Sequence, residues 1–238
     1  MVTRACWILV AMLLFSPSLT SSVQAVPVEI NSRATLGGND FIDWGTLGAA
    51  GIEIANPFVA VSNGGISTTV SQGGGLLFER LDQNAGWNGN FAPGAALIFI
   101  NQDINNNETK TVSLQFSTPV AGAGTQVQTN SPGEFGMTLN VFDSGNNLLG
   151  SFNEAGLSTS TADNSAIFLG VRNDTANIDH VTYTVSTPHS LGFAMDQVDL
   201  VNGQLTAIPE PGTILLLATS LTGLGIARWR RHCEAVVV

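Results

Sequence analysis

The sequence has only two cysteines, Cys6 and Cys233, and both lie near the ends of its 238 residues. The long central segment, residues 26–206, therefore contains no cysteine. This excludes a disulfide, a thiol nucleophile and a Cys-ligated zinc site from that segment. A segment of this size can still bury a full hydrophobic core without covalent cross-links.

Basic residues are almost as scarce in the central segment. Sixteen Asp and Glu outweigh four bases there, which gives a net charge near −12; the bases are Arg33, Arg80, Lys110 and Arg172. Such a surface repels phosphate backbones, so the composition argues against nucleic-acid binding. It is compatible with cationic ligands and with solubility outside the cell.

Long uncharged apolar runs are confined to the two ends of the chain. At the amino end, Arg4 precedes eleven apolar residues from Ala5 to Phe15, and a small polar stretch closes with Val23-Gln24-Ala25. This order is typical of a secretory signal peptide, so residues 1–25 are expected to be removed after Ala25. The apolar run is too short to span a bilayer comfortably, which argues against a retained anchor.

At the carboxyl end, a proline-rich triplet precedes an uncharged run over residues 212–227, and a basic cluster follows at residues 228–232. As a helix, the run would rise roughly 24 Å, somewhat less than a hydrocarbon core of about 30 Å. The aromatic ring of Trp229 and the neighbouring arginines can sit at the interface and complete the span. Positive charge after the span favours a cytoplasmic carboxyl end, which places the upstream residues outside.

This tail, residues 207–238, resembles the PEP-CTERM sorting signal of exported proteins in Gram-negative bacteria. In that family an exosortase, a membrane-embedded cysteine protease, reads the tail and cuts near the motif. The resemblance implies a recognition motif that consists of Pro209, Glu210 and Pro211. It also implies a basic stop that consists of Arg228, Arg230 and Arg231. Two features depart from the pattern: hydroxyl side chains within the helix, and six residues, Cys233 to Val238, beyond the basic cluster. An ordinary uncleaved membrane anchor is the alternative.

The central segment alternates apolar and polar residues in short runs separated by turn residues. Alternation is clearest in Thr111–Phe116, Phe135–Val141 and Val181–Val185, whereas Ala96–Ile100 and Ala166–Val171 are continuously apolar. The alternating runs predict strands with one buried face, and the continuously apolar runs predict strands buried on both faces. We therefore expect a single all-β domain, a jelly-roll-like β-sandwich. The closing run Gly192–Val198 resembles the last strand of the jelly-roll ectodomains that are common among PEP-CTERM proteins.

Two local features of these strands can be predicted from the same patterns. The polar run Asp143–Asn147 separates two apolar segments and predicts a hairpin. The apolar phase changes between Met195 and Val198, so a bulge is expected near Asp196 or Gln197.

No motif in the central segment indicates catalysis. The glycine clusters match neither the phosphate-binding loop nor the dinucleotide fingerprint, and no G-x-S-x-G motif occurs. Asp103–Asn107 has the spacing that opens an EF-hand loop, but Glu108 replaces the required glycine. His180 follows Asp179 in a predicted strand, where neighbours should face opposite sides, and His189 lies in a turn. Sixteen acidic residues provide many carboxylate pairs, and none stands out as a glycosidase pair.

Two binding sites remain as hypotheses. In a jelly-roll sandwich the first and last strands often lie together, so four carboxylates from those regions could share a structural calcium ion: Asp40, Asp43, Asp196 and Asp199. Trp87 lies in a Gly/Asn-rich stretch that should expose its ring, which makes it a candidate sugar contact. The alternative for Trp87, as for Trp44, Phe91 and Tyr183, is a place in the core.

Together these observations predict a non-enzymatic, exported surface or extracellular-matrix protein. Its expected partners are an exosortase, the inner membrane and, by family resemblance, extracellular polysaccharide. Two other functions remain open: a lectin-like carbohydrate-binding module, with or without calcium, and an enzyme that acts on polysaccharide.

Overall fold

The computed structural model describes residues 26–101, 110–185 and 192–203. The predicted signal peptide and sorting tail lie outside these residues, as do the Asp103–Asn107 motif and His189. Within the described ranges, no helix has the length and apolar character needed to cross a membrane.

The described residues form fifteen β-strands and very little helix. In chain order the strands are β1 (Val28–Ile30), β2 (Asp40–Ile42), β3 (Ile52–Ile54), β4 (Phe58–Val61), β5 (Ser67–Gln72), β6 (Phe78–Gln83), β7 (Gly86–Trp87), β8 (Ala96–Asn101), β9 (Lys110–Val120), β10 (Gly122–Thr129), β11 (Gly133–Phe142), β12 (Leu148–Ser158), β13 (Ile167–Arg172), β14 (Ile178–Val185) and β15 (Gly192–Val201). One helical turn, α1 (Arg33–Leu36), and two 3₁₀ turns, Trp44–Leu47 and Gly73–Gly75, complete the list.

These strands form two sheets, which confirms the all-β prediction. The first sheet has the order β1-β13-β10-β15-β8-β6-β3, with β2 paired to β15 and β7 paired to β6. The second has the order β12-β11-β14-β9-β5-β4. Every pairing is antiparallel except the short one between β6 and β7. Because β2 pairs with β15, the expected proximity of the early and late strands is also confirmed.

The main core lies between the two sheets and is filled by the apolar positions of the alternating strands. On β9 the side chains of Val112, Leu114 and Phe116 are buried, and on β14 those of Val181 and Tyr183 are buried. The continuous run of β8 behaves differently: Ile98 and Ile100 enter this core, while Leu97 and Phe99 enter a second cluster. Since successive side chains of a strand point to opposite faces, the first sheet is covered on both sides.

The two predicted local features are both confirmed. Strands β11 and β12 pair in antiparallel register, with Gly133 opposite Ser158, and the Asp143–Asn147 run connects them. The Asp143 carboxylate accepts the backbone N–H of Gly145 and of Asn147, both at 2.9 Å, and so closes the turn. On β15 three residue steps from Met195 to Val198 face two steps of β10, which places a bulge at Asp196 and Gln197.

Candidate functional site

The outer face of the first sheet, which points away from the second sheet, is covered by two small elements. The loop between β6 and β8 packs Trp87 and Phe91 against Leu97 and Phe99. Helix α1 packs Leu36 against a separate cluster that includes Phe168 and Val201. Two clefts lie beside these elements, and each could hold a ligand.

A row of amides runs along this face on β10 and continues to the residue that follows the strand. Gln126, Gln128 and Asn130 occupy alternate positions, while Val127 points into the main core between the sheets. Gln128 is buried, Gln126 is just buried and Asn130 is exposed. The β6–β8 loop therefore covers Gln128 and leaves Asn130 exposed beside it.

Gln128 fixes that loop to the sheet through a buried network. Its Oε1 accepts the backbone N–H of Asn90 at 2.7 Å and the indole N–H of Trp87 at 3.2 Å. Its Nε2 donates to the Asn90 side-chain oxygen at 2.7 Å and to the Thr159 carbonyl at 2.9 Å. Gly89 passes over this amide, and a Cβ atom there would overlap it. The loop is therefore held by polar contacts as well as by packing.

Asn90 extends the same network to a second loop. Its side-chain NH₂ group lies within 2.6–3.4 Å of four oxygens, those of Thr159, Thr161, Asp163 and Ser165. The hydrogen bonds from Ser165 and Asn90 lower the pKa of the Asp163 carboxyl. One buried asparagine thus joins the β6–β8 loop to the segment between β12 and β13.

The expectation that Trp87 is exposed is wrong. The residue is 7% exposed, and its ring lies 5.6 Å from that of Phe99 and 6.2 Å from that of Phe91, measured between centroids. The indole N–H is satisfied by Gln128, so the side chain has both an apolar and a polar reason to be buried. Trp44, Phe91 and Tyr183 are also fully buried, and no platform of these aromatic rings is exposed.

Trp87 nevertheless borders a cleft, here called the Trp87 cleft. Its volume is about 510 Å³, and it lies at the β6 side of the outer face. Leu81, Trp87 and Phe99 give it an apolar lining, while Glu79 and Asn130 add a carboxylate and an amide. This combination of apolar surface with a few polar groups is typical of small-molecule binding pockets.

A second cleft of about 370 Å³, here called the Gln126 cleft, lies at the edge of the first sheet, between α1 and the edge strand β12 of the second sheet. Its polar lining includes Arg33, Gln126, Glu154 and Asn164, and Phe168 supplies apolar surface. Gln126 donates its amide N–H to the Ala166 carbonyl at 3.0 Å and to Asn164 at 3.2 Å. The row of amides on β10 therefore connects the two clefts.

Arg33 brings two of the predicted calcium ligands together. Its Nε lies 2.6 Å from Asp199 Oδ2 and its Nη2 lies 3.2 Å from Asp196 Oδ2. Burial raises the pKa of the Asp196 carboxyl, and the nearby guanidinium only partly opposes this effect. These two carboxylates are thus joined by a cation that belongs to the chain.

The other two predicted ligands are used elsewhere. Asp40 accepts hydrogen bonds from the Ser62 hydroxyl at 2.5 Å and the Gly64 N–H at 2.6 Å. It lies opposite Leu200, so its side chain shares the inner face, whereas Asp199 points outward. Asp43 caps the first 3₁₀ turn by accepting the Gly45 N–H. Within the described ranges no three acidic, histidine or cysteine side chains group as a metal site requires, so calcium binding stays a prediction.

The side chains of Asp179 and His180 contact each other, contrary to the prediction from strand alternation. Asp179 and His180 were expected to face opposite sides of the strand, yet His180 Nδ1 lies 3.1 Å from Asp179 Oδ2. The register between β14 and β9 is irregular between Ile178 and His180, so the alternation fails at this point. The imidazole also stacks on Phe142 with ring centroids 4.6 Å apart.

Sequence reasoning missed several residues of the outer face. Glu79, Phe99 and Asn130 were not singled out, because none of them belongs to a recognisable motif. The alternation of amides at Gln126, Gln128 and Asn130 was the available signal, since a half-buried strand with amides on one face has polar partners to satisfy. The burial of Gln128 depends on a loop about forty residues away in sequence, which the alternation does not show.

No family model matches the sequence, and no curated protein matches it. Among solved structures, a DUF4465 family protein from Bacteroides caccae is 13% identical with a TM-score of 0.34, covering 73% of this chain and 99% of that one. TmCBM61 in complex with β-1,4-galactotriose is 16% identical with a TM-score of 0.29, covering 57% and 88%. A family 29 carbohydrate-binding module from Piromyces equi is 13% identical with a TM-score of 0.30, covering 67% and 95%. All three TM-scores are below 0.5, so the similarity is distant.

Proposed function

We propose that the β-sandwich is a non-catalytic domain that binds extracellular polysaccharide through the outer face of its first sheet. The observation that carries the proposal is the Trp87 cleft, where apolar side chains adjoin the exposed amide of Asn130 and the carboxylate of Glu79. Sugar rings present apolar faces and hydroxyl edges, so they match a lining of this kind. An amide can both donate to and accept from a hydroxyl group.

The second part of the proposal concerns the ends of the chain. The resemblance of residues 207–238 to a PEP-CTERM tail, together with the signal-peptide pattern of residues 1–25, supports export followed by exosortase processing. In this proposal the tail holds the protein in the inner membrane until it is cut near Pro209–Pro211, and the β-sandwich then reaches the cell surface or matrix. A polysaccharide-binding domain is a suitable cargo for such a route.

Binding is tested by applying the purified protein to a glycan array and measuring the best oligosaccharide by calorimetry. Replacing the exposed amide in Asn130→Ala should weaken binding by roughly tenfold, since one lost polar contact of about 1.4 kcal/mol has that effect. Gln115→Ala, which removes another exposed amide from the second sheet, should leave the affinity unchanged. Equal affinities for wild type and Asn130→Ala would place the ligand elsewhere, and no binding on the array would overturn the proposal.

Processing is tested by mass spectrometry of the mature protein from its native host, with and without the exosortase gene. We expect a carboxyl terminus near residues 209–211 when the protease is present and an uncut tail when it is deleted. An intact end at Val238 in cells that contain the protease would refute the sorting proposal and favour a plain membrane anchor.

A further inference from the structure

The Trp87 cleft carries an unbalanced negative charge. Glu79 of β6 and Phe99 of β8 both line the cleft, and the two residues are directly opposite each other in the sheet. On the other side of β6, Glu79 faces Glu53 of β3 in the antiparallel register. Like charges directly opposite each other on a sheet are mildly unfavourable. None of the four ion pairs in the described ranges involves either glutamate.

The basic side chains that the structure describes are engaged elsewhere. Arg33 binds Asp196 and Asp199 on the α1 side of the face. Arg80 is buried and contacts the Asp82 carboxylate at 2.6 Å. Arg172 donates to the Leu36 carbonyl at 2.8 Å, under α1. Among the residues that the structure describes, none of those lining the Trp87 cleft is basic.

We propose that the Trp87 cleft selects a polysaccharide that carries free amino groups. This proposal rests on the polysaccharide-binding function proposed above and adds the chemical class of the sugar. An ammonium group near Glu79 and Glu53 would relieve their mutual repulsion and gain a charge-assisted hydrogen bond. An acidic polysaccharide would add a third negative charge at the same place, and the net negative charge of the domain would oppose its approach.

The test uses three hexasaccharides with the same β-1,4-linked backbone that differ at carbon 2 of each ring. They carry a hydroxyl group (cellohexaose), an acetamido group (the N-acetylglucosamine hexamer) or an ammonium group (the glucosamine hexamer). Calorimetry with the full chain at physiological salt should show the glucosamine hexamer binding about tenfold more tightly than cellohexaose, because one charge-assisted contact of about 1.4 kcal/mol suffices for that ratio.

Variants separate the local effect from general attraction to an acidic protein. Glu79→Gln should reduce the ratio of glucosamine-hexamer affinity to cellohexaose affinity to near unity. Glu134→Gln removes an exposed carboxylate from the second sheet and should preserve the preference. Equal reductions in both variants would mean non-specific attraction and would overturn the inference.

The remaining outcomes distinguish this inference from the proposed function. Cellohexaose binding at least as tightly as the glucosamine hexamer, with sensitivity to Asn130→Ala, would overturn the amine preference and leave polysaccharide binding in place. Binding of none of the three hexasaccharides, combined with no binding on the glycan array, would overturn both.

Discussion

At the scale of single residues, Asn90 and Gln128 show how buried polar groups can fix a surface loop. Each amide satisfies backbone and side-chain partners from a segment distant in sequence. A buried amide that loses its partner leaves those groups unsatisfied, which is costly in a low-dielectric interior. The shape of the Trp87 cleft therefore depends on residues that do not line it.

Asn90→Ala should lower the free energy of unfolding by about 3 kcal/mol, because it removes the side-chain acceptor of the Thr159 N–H and one of the acceptors of the Gln128 amide. Urea unfolding followed by circular dichroism measures the change. Asn63→Ala, at an exposed turn, is the matched control and should change stability by less than about 0.5 kcal/mol. Similar values for the two variants would show that the network contributes little.

Asp196 predicts a specific pH dependence. Burial raises its pKa above the ordinary value of 3.8, so the folded state binds this proton more tightly than the unfolded chain does. The free energy of unfolding should therefore fall as the pH rises from 3.8 through the raised pKa. Asp196→Asn removes this titration while keeping an oxygen to accept the Gln197 N–H.

Urea unfolding at several pH values between about 4 and 7 covers the range in which a carboxyl with a raised pKa loses its proton. Over this range the free energy of unfolding of Asp196→Asn, relative to that of wild type, should increase with pH. Glu134→Gln, which replaces an exposed carboxylate on the second sheet, is the control for the same series. Curves for wild type and Asp196→Asn that stay parallel over this range would contradict the assignment.

At the scale of elements, β12 is an edge strand of the second sheet and carries a charge on its inner side. Glu154 is opposite Met137 of β11, which is fully buried, so the carboxylate points toward the sandwich side of the strand. Leu148 and Leu157 of the same strand are exposed. An inward-pointing charge is a known way to prevent edge-to-edge pairing of an otherwise open strand.

Glu154→Leu should therefore promote self-association, because it removes that charge from an edge with two exposed leucines. Sedimentation velocity over a range of protein concentrations measures this, and the average mass should rise with concentration above the wild-type value. Asn153→Leu adds the same side chain to the opposite face of the same strand and serves as the control. Equal association of both variants would indicate non-specific hydrophobic association instead of edge-to-edge strand pairing.

At the scale of the whole molecule, the central segment has a net charge near −12. Repulsion among these charges lowers the free energy of unfolding of the compact state. Compact folding brings these charges closer together than they are in the unfolded chain. Salt screens the repulsion over about 10 Å at 0.1 M ionic strength. The fold should thus be more stable at moderate salt than in dilute buffer.

The melting temperature should rise by a few degrees, roughly 1 kcal/mol, between about 10 mM and 300 mM sodium chloride at pH 7. Differential scanning calorimetry measures the shift. The same pair of salt concentrations near pH 4, where many carboxylates are protonated, provides the control and should give a smaller rise. A fall in melting temperature at pH 7 would mean that attractive ion pairs dominate.

The sequence alone determined the fold class and much of the strand pattern. Alternation in Thr111–Phe116 and the continuous run in β8 were enough because burial on one or two faces is a local property of a strand. The hairpin at Asp143–Asn147 and the bulge at Asp196 and Gln197 were readable for the same reason.

The tertiary structure alone decided the candidate site. Trp87 lies in a polar stretch, yet packing against Phe99 and a hydrogen bond to Gln128 hold it in the interior, and no local pattern contains these contacts. Asp40 and Asp199 lie on neighbouring strands but point to opposite faces, which depends on strand register. The candidate site consists of side chains that strand pairing brings together, and pairing between distant strands is not a local property of the sequence.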